Sequence, residues 1–197
     1  MIISSKADRR RAALARRRAL SPGEVAHRSE QLCEQLFRHF PVADWAGLSV
    51  FLPIIRRHEP DTWSLIRRIW AETPAVRLAV PVVQPDGESL KHYALTSATP
   101  LRDNRWGIPE PVTGTATEVA PAAFDAVLVP LLAVDAAGQR VGYGSGYYDR
   151  FLARCRPGTL FIGLNVLDEA PGEPLADATP TDVPLHACIT PGGVWRF

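Results

Sequence analysis

The sequence predicts an α/β fold: a mostly parallel sheet covered by helices on both faces. Two features carry this prediction. Short aliphatic and β-branched runs, "AGLSVFL", "VRLAVPVV" and "TLFIGL", alternate with segments of helical composition, and that alternation lays strands side by side under crossover helices. The run "DAVLVPLLAV" is almost wholly apolar, as a central strand buried on both faces requires. With 197 residues, 46% hydrophobic and 22% charged, the chain suits a single compact domain over residues 1–197.

In chain order, Ser5 followed by Asp8 resembles a capping box and opens a first helix over about residues 6–19. "SPGE" then supplies Ser21 as N-cap, Pro22 at the first helical position and Glu24 at the third. The second helix places Leu32, Leu36, Phe37 and Phe40 on one face and stops at Pro41. "AGLSVFL" is a buried strand, "DTWSLIRRIW" a helix begun by Asp61, and "VRLAVPVV" a further strand. "LKHYAL" is a short strand holding His92, which reads as a strand residue more than a base. Residues 97–117 form a long connection bearing "NRWGIPEP", and a loop of that length usually has a job. After "DAVLVPLLAV" come a glycine loop, a helix "YYDRFLARC" and the strand "TLFIGL". A Pro-, Asp- and Ala-rich excursion over residues 168–181 precedes a short terminal strand, "HACIT".

Composition narrows the function classes. "AVLVPLLAV" is too short to span a bilayer and carries Pro130. The start lacks the apolar core of a secretory signal and reads as part of the fold. Cys33, Cys155 and Cys188 are odd in number and lack C-x-x-C spacing, which supports neither a disulfide framework nor a zinc site and fits a reducing cytoplasm. Residues 1–20 hold seven Lys or Arg against Asp8, while the whole chain carries only +1. That basic start suits a solvated helix face, a phosphate-bearing partner or an RNA-binding module; the near-neutral total weighs against RNA.

The stretch "RVGYGSGYYDRFL", residues 140–152, concentrates the chemistry. It lies between a strand and a helix, where open α/β sheets bind ligands. Gly142, Gly144 and Gly146 would let successive backbone N–H groups curl around a phosphate. A plain turn with packed tyrosines would use the same residues. Tyr147 breaks the G-x-G-x-x-G dinucleotide pattern, and no Gly-Lys-Ser/Thr follows to make a P-loop. Asp149, in the first helical turn, would favour the helix dipole or hold Mg²⁺ beside a nucleotide. Of the adjacent Tyr147 and Tyr148, one packs inward and the other is placed to face a ring-shaped ligand. Arg140 is either a phosphate ligand or a solvated loop arginine. Lys6 and Arg10 share a helix face and form a cationic pair able to meet a polyphosphate. Glu59 in "RRHEPDT" is a site carboxylate or a partner for Arg56 or Arg57; Trp106 and Glu110 belong to a lid or to a loop held by a buried indole. The chain offers no convincing Ser/His/Asp set or Cys/His pair for covalent hydrolysis.

Taken together, these residues resemble the 5-formyltetrahydrofolate cyclo-ligase family, from about Lys6 to Val194. "LVPLLAVDAAGQRVGYGSGYYDRFL" carries most of the likeness, and "EPDT", "NRWGIPEP" and "TDVPLHACIT" follow the family's order. The resemblance implies a three-layer α/β/α domain and an ATP- and Mg²⁺-dependent conversion of 5-formyltetrahydrofolate to 5,10-methenyltetrahydrofolate, releasing ADP and phosphate. It implies that Lys6 and Arg10 hold ATP phosphates and that Arg140, Val141, Gly142, Tyr143, Gly144, Ser145, Gly146, Tyr147 and Tyr148 wrap the nucleotide. Arg140 and Tyr147 would act in catalysis, Asp149 would bind Mg²⁺, and Asp182 is a second metal candidate. Leu52, Glu59, Trp106 and residues 143–147 would line the folate site, with Glu59 on the polar pterin edge. In place of basic side chains found in some members, this chain has Tyr143 and Ser145; near the terminus Thr181 and Pro191 also depart from the common pattern. A relative using the same scaffold on another substrate, for example in thiamine-related metabolism, is the second enzyme reading. The expectation is a cytoplasmic monomer acting on a small molecule, with neither nucleic acid nor membrane as partner.

Overall fold

The structure, a computed structural model, describes residues 5–104 and 107–197. Trp106 lies outside the described residues. Helix α1 (Lys6–Arg18) starts where Ser5 Oγ accepts from Asp8 N at 3.2 Å. Helix α2 (Pro22–His39) starts at a full capping box, with Glu24 N on Ser21 Oγ and Ser21 N on Glu24 Oε2. Strand β1 (Gly47–Ser49) leads through a single 3-10 turn, Ile55–Arg57, to α3 (Trp63–Glu72), where Asp61 Oδ1 accepts from Trp63 N as the sequence suggests. Strands β2 (Arg77–Val83) and β3 (Leu90–Leu95) follow as expected.

The connection after β3 holds more structure than its composition indicates. It folds into an antiparallel ribbon of β4 (Leu101–Asp103) and β5 (Pro109–Pro111), then leads to β6 (Glu118–Val119) on the sheet edge. The apolar run read as one strand is two. Strand β7 (Ala126–Pro130) stays in the sheet, whereas β8 (Ala133–Val134) leaves it to pair with β9 (Arg140–Val141). Pro130 has no N–H to continue a ladder, and Leu132 N turns instead to Val141 O at 2.8 Å. Helix α4 (Tyr147–Leu152) is shorter than "YYDRFLARC". Beyond β10 (Leu160–Leu164), β11 (Ala187–Thr190) is not terminal, because β12 (Gly193–Arg196) doubles back on it.

The main sheet has the order β12-β11-β10-β7-β1-β2-β3-β6. Its five middle strands run parallel, and antiparallel strands close both edges. Alternate residues of β7 point to opposite faces. Ala126 and Leu128 join α2 and α3 in one core, and Val127 and Val129 join Phe151 and Leu152 of α4 in the other. This is the expected α/β/α layering. The chain passes from β1 to β2 on one side and later from β7 to β10 on the other, so the strand order reverses between β1 and β7. Ligands bind at such a reversal, beyond the carboxyl ends of the strands. Helix α1 closes this end: its Ala13 packs with Leu132, Val166 and Leu167, and Leu14 and Tyr143 pack around them.

Candidate active site

Two segments leave the reversal point: residues 50–59 from β1 and residues 131–148 from β7. The first carries Glu59 inward. His58, at φ 51° the one non-glycine residue with positive φ among those described, turns the chain between the exposed Arg57 and the buried Glu59. His58 Nδ1 sits 2.9 Å from the Arg17 carbonyl, and this contact ties the turn to α1. Glu59 Oε1 accepts from Tyr143 Oη at 2.5 Å, and Oε2 accepts from Ile54 N at 2.8 Å. Burial raises its pKa above the ordinary carboxylate value; the two donors, Arg17 and Arg57 oppose that rise. Burial likewise raises the Tyr143 phenol, and the Glu59 charge adds to the effect.

The glycine loop arches over this carboxylate. Among the described residues, the N–H groups of residues 142–146 have no protein acceptor, although the carbonyls of Gly142 and Ser145 are bonded by Arg10 Nε at 2.8 Å and Arg150 Nη2 at 2.9 Å. Carbonyls are therefore held from behind while donors stay open. Gly144 sits at φ +102°, a backbone conformation that favours glycine, and the Arg10 guanidinium packs against it: a Cβ there would lie in ordinary contact, 3.4 Å from Arg10 Nη2. Ser145 is exposed and Val141 is fully buried on β9.

Four charges line the rim. Lys6 Nζ pairs with Asp182 Oδ2 at 2.5 Å, and Arg140 Nη2 pairs with Asp149 Oδ1 at 2.6 Å. Val183 N also donates to Asp149 Oδ1, at 3.0 Å, which brings the two pairs together. Burial opposes the charge of Asp182, yet Lys6 and Thr179 N prevail and hold its carboxyl below the usual range. Burial lowers the Arg140 pKa against the pull of Asp149, and the side chain is also bonded to Val183 O. Lys6 and Thr179 N both meet Asp182 at Oδ2, and Arg140 and Val183 N both meet Asp149 at Oδ1. Each keeps its second oxygen as an acceptor. No cluster of three or more His, Cys, Asp or Glu gathers among the described residues. Two carboxylates beside open N–H donors still suit Mg²⁺, which is usually held by one or two carboxylates plus substrate phosphates.

The family profile of 5-formyltetrahydrofolate cyclo-ligases matches residues 2–191. The chain belongs to the 5-formyltetrahydrofolate cyclo-ligase family. Among relatives, the Escherichia coli K12 5-formyltetrahydrofolate cyclo-ligase is 29% identical over 188 residues, covering 92% of this chain and 98% of that one. The Mus musculus 5-formyltetrahydrofolate cyclo-ligase is 30% identical over 145 residues, covering 71% and 70%. The NMR structure of Aquifex aeolicus 5,10-methenyltetrahydrofolate synthetase superposes with a TM-score of 0.80 at 28% identity, covering 97% of this chain and 92% of that one. As a member of the family, the chain is an enzyme of the ligase class.

In this cyclo-ligase family member, Lys6 pairs with Asp182, Arg140 with Asp149, Arg10 with the Gly142 carbonyl and Tyr143 with Glu59. Leu52 does not join them as an exposed wall; it is buried in the core that α2 and α3 share with the sheet. The two tyrosines separate in role. Tyr147 donates to Gly87 O at 2.9 Å and lies under Arg150, while the Tyr148 hydroxyl is buried without a protein partner near the charges of Glu59 and Arg140. Glu110 is held by Asn104 Nδ2 at 2.8 Å in the β4–β5 ribbon, and His92 is a buried strand residue as expected. Sequence reasoning misses Arg17, which contacts Tyr143, whereas it names Arg57, which stacks on the Tyr143 ring, as a partner for Glu59. For Arg17 the cue was present: Lys6, Arg10, Ala13 and Arg17 follow helical spacing and occupy one face of α1.

Proposed function

We propose that the chain converts 5-formyltetrahydrofolate to 5,10-methenyltetrahydrofolate with ATP and Mg²⁺, releasing ADP and phosphate. One observation carries this reading: residues that the family resemblance marks for nucleotide and folate converge at the strand-order reversal of a chain whose family match covers residues 2–191. The formyl oxygen is a poor leaving group, so activation precedes ring closure. It attacks the γ-phosphorus of ATP, ADP departs, and an N5-iminium phosphate forms. N10 then attacks the formyl carbon and gives up its proton to water, the carbon–oxygen bond breaks, and phosphate leaves.

The chain contributes positioning and charge neutralisation more than proton transfer. The open N–H groups of residues 142–146 receive phosphate oxygens, with Lys6 and Arg10 behind them. Arg140, half neutralised by Asp149, stands ready to meet the charge that builds on the transferring group. Asp149 and Asp182 would hold Mg²⁺ through their second oxygens, and the ion would neutralise phosphate charge. Glu59 accepts from the donor edge of the pterin, with Tyr143 and Tyr147 beside it. Trp106 completes the folate site in this proposal. Cys33, Cys155 and Cys188 are free thiols, which supports work in the cytoplasm; no helix of the described residues is long and apolar enough to cross a membrane. We propose a monomer as the working unit.

The deciding experiment mixes purified protein with 5-formyltetrahydrofolate and follows the absorbance of the methenyl product. A rise that requires both ATP and Mg²⁺ is expected. Folded protein that binds ATP but produces no rise overturns the reading.

A further inference from the structure

The steps above assign nothing to Arg17, yet it is the largest fully buried side chain among the described residues, at 1% exposed. A buried guanidinium needs acceptors, because an uncompensated charge away from water is costly. Arg17 Nη2 donates to the carbonyl of Leu131, just past β7, and Nη1 lies 3.4 Å from Tyr143 Oη, a long contact for a hydrogen bond. Tyr143 Oη then donates to Glu59 Oε1.

The direction of this relay follows from chemistry. A guanidinium only donates, so Oη accepts from Arg17 and its single proton goes to Glu59. Ile54 N donates to the other oxygen, so both oxygens accept, an arrangement that suits a charged carboxylate. A proton on Oε1 would meet Oη head-on and leave the phenol proton without an acceptor among the described residues. Two of about four carboxylate acceptor sites remain for a ligand.

The other groups facing Glu59 are Arg57 and Tyr148. Arg57 is exposed and stacks 4.5 Å over the Tyr143 ring, so water and salt screen its charge. Tyr148 brings a buried neutral hydroxyl. Among the described residues facing Glu59, Arg17 is the cation buried from solvent. Resting on the assignment of Glu59 to the pterin edge, we propose that Arg17 is a positioning residue: through the Tyr143 hydroxyl it holds the Glu59 carboxylate charged and oriented, so that the folate meets a preformed acceptor.

The test reads Glu59 itself. Glutamate carboxyl carbons are labelled with carbon-13, the Glu59 resonance is identified by its loss in Glu59→Gln, and its titration midpoint is followed. Arg17→Met and Tyr143→Phe are expected to raise the midpoint by about 1 pH unit or more, whereas Arg17→Lys keeps it near the parent value. Equal midpoints in the parent and in Tyr143→Phe overturn the relay. That variant keeps the ring under Arg57 and gives an answer even where Arg17→Met does not fold. In turnover, Arg17→Met should lower kcat/KM for 5-formyltetrahydrofolate about tenfold at the acid end, with the acid limb displaced upward and KM for ATP unchanged. A fall by one constant factor at every pH would instead make Arg17 purely structural. The resonance needs no substrate, so a chain that turns over no formylfolate loses the functional reading while the relay is still decided.

Discussion

Asp149 shows how one side chain serves two ends. Its Oδ1 neutralises Arg140, whose side chain is only 6% exposed, and accepts from Val183 N. Removing it therefore does more than delete the metal ligand proposed above, because it leaves a buried cation alone. Asp149→Asn retains an oxygen for Val183 N, and we predict that it folds with a lowered Tm while its turnover loses most of its response to added Mg²⁺. Unchanged Mg²⁺ titration of kcat would remove Asp149 from the metal site. Lys6 and Arg10 make a complementary case, reaching Asp182 and the Gly142 carbonyl across 176 and 132 residues of chain. The double variant Lys6→Ala, Arg10→Ala should raise KM for ATP about tenfold and KM for the folate much less. Initial-rate kinetics with each substrate varied separately decide this, and the reverse pattern would move the pair to the folate tail.

Among the elements, α2 and the glycine loop make different demands on sequence. The α2 start is local: Ser21 and Glu24 satisfy each other's backbone donors, and the pattern is legible in four consecutive residues of the chain, Ser21 to Glu24. Ser21→Ala should cost about 1 kcal/mol of stability with no change in KM, measured by denaturant unfolding and steady-state kinetics. The loop is set by tertiary contact. Gly144 has a positive φ that an L side chain rarely adopts, so Gly144→Ala should shift the loop that Arg10 holds and weaken ATP binding well beyond its effect on Tm. Calorimetric titration with ATP, set beside thermal unfolding, separates the two effects. The split of "DAVLVPLLAV" into β7 and β8 belongs with the loop. Hydrophobicity alone reads one long strand, and Pro130 together with the pairing of β8 with β9 ends it.

At the scale of the whole molecule, His92 ties stability to pH. It stacks 4.0 Å from Phe151 and meets Phe124 edge-on at 5.2 Å, and neither ring nitrogen has a partner. Burial alone depresses its pKa from 6.5 to about 3. The unfolded chain therefore binds this proton first as pH falls: the contribution of His92 is complete above pH 6.5 and drains away toward pH 3. Denaturant unfolding from pH 7 to pH 4 should show the parent losing stability relative to His92→Leu by about 1.4 kcal/mol per pH unit in that window; parallel curves would refute the buried neutral state. Range separates what is local in this molecule from what is not. Periodicity, caps and glycine spacing act over a few residues, so the sequence by itself determined the α/β class, the starts of α1 and α2 and most strands of the sheet. Partners brought together across the fold were decided by the tertiary structure alone: Arg17 with Tyr143, Tyr143 with Glu59, and the two ion pairs at the rim. So was the fate of Leu52, which the packing of α2 and α3 on the sheet places in the core. Such contacts depend on where the strand order reverses and which helix closes that end, and no local pattern encodes either.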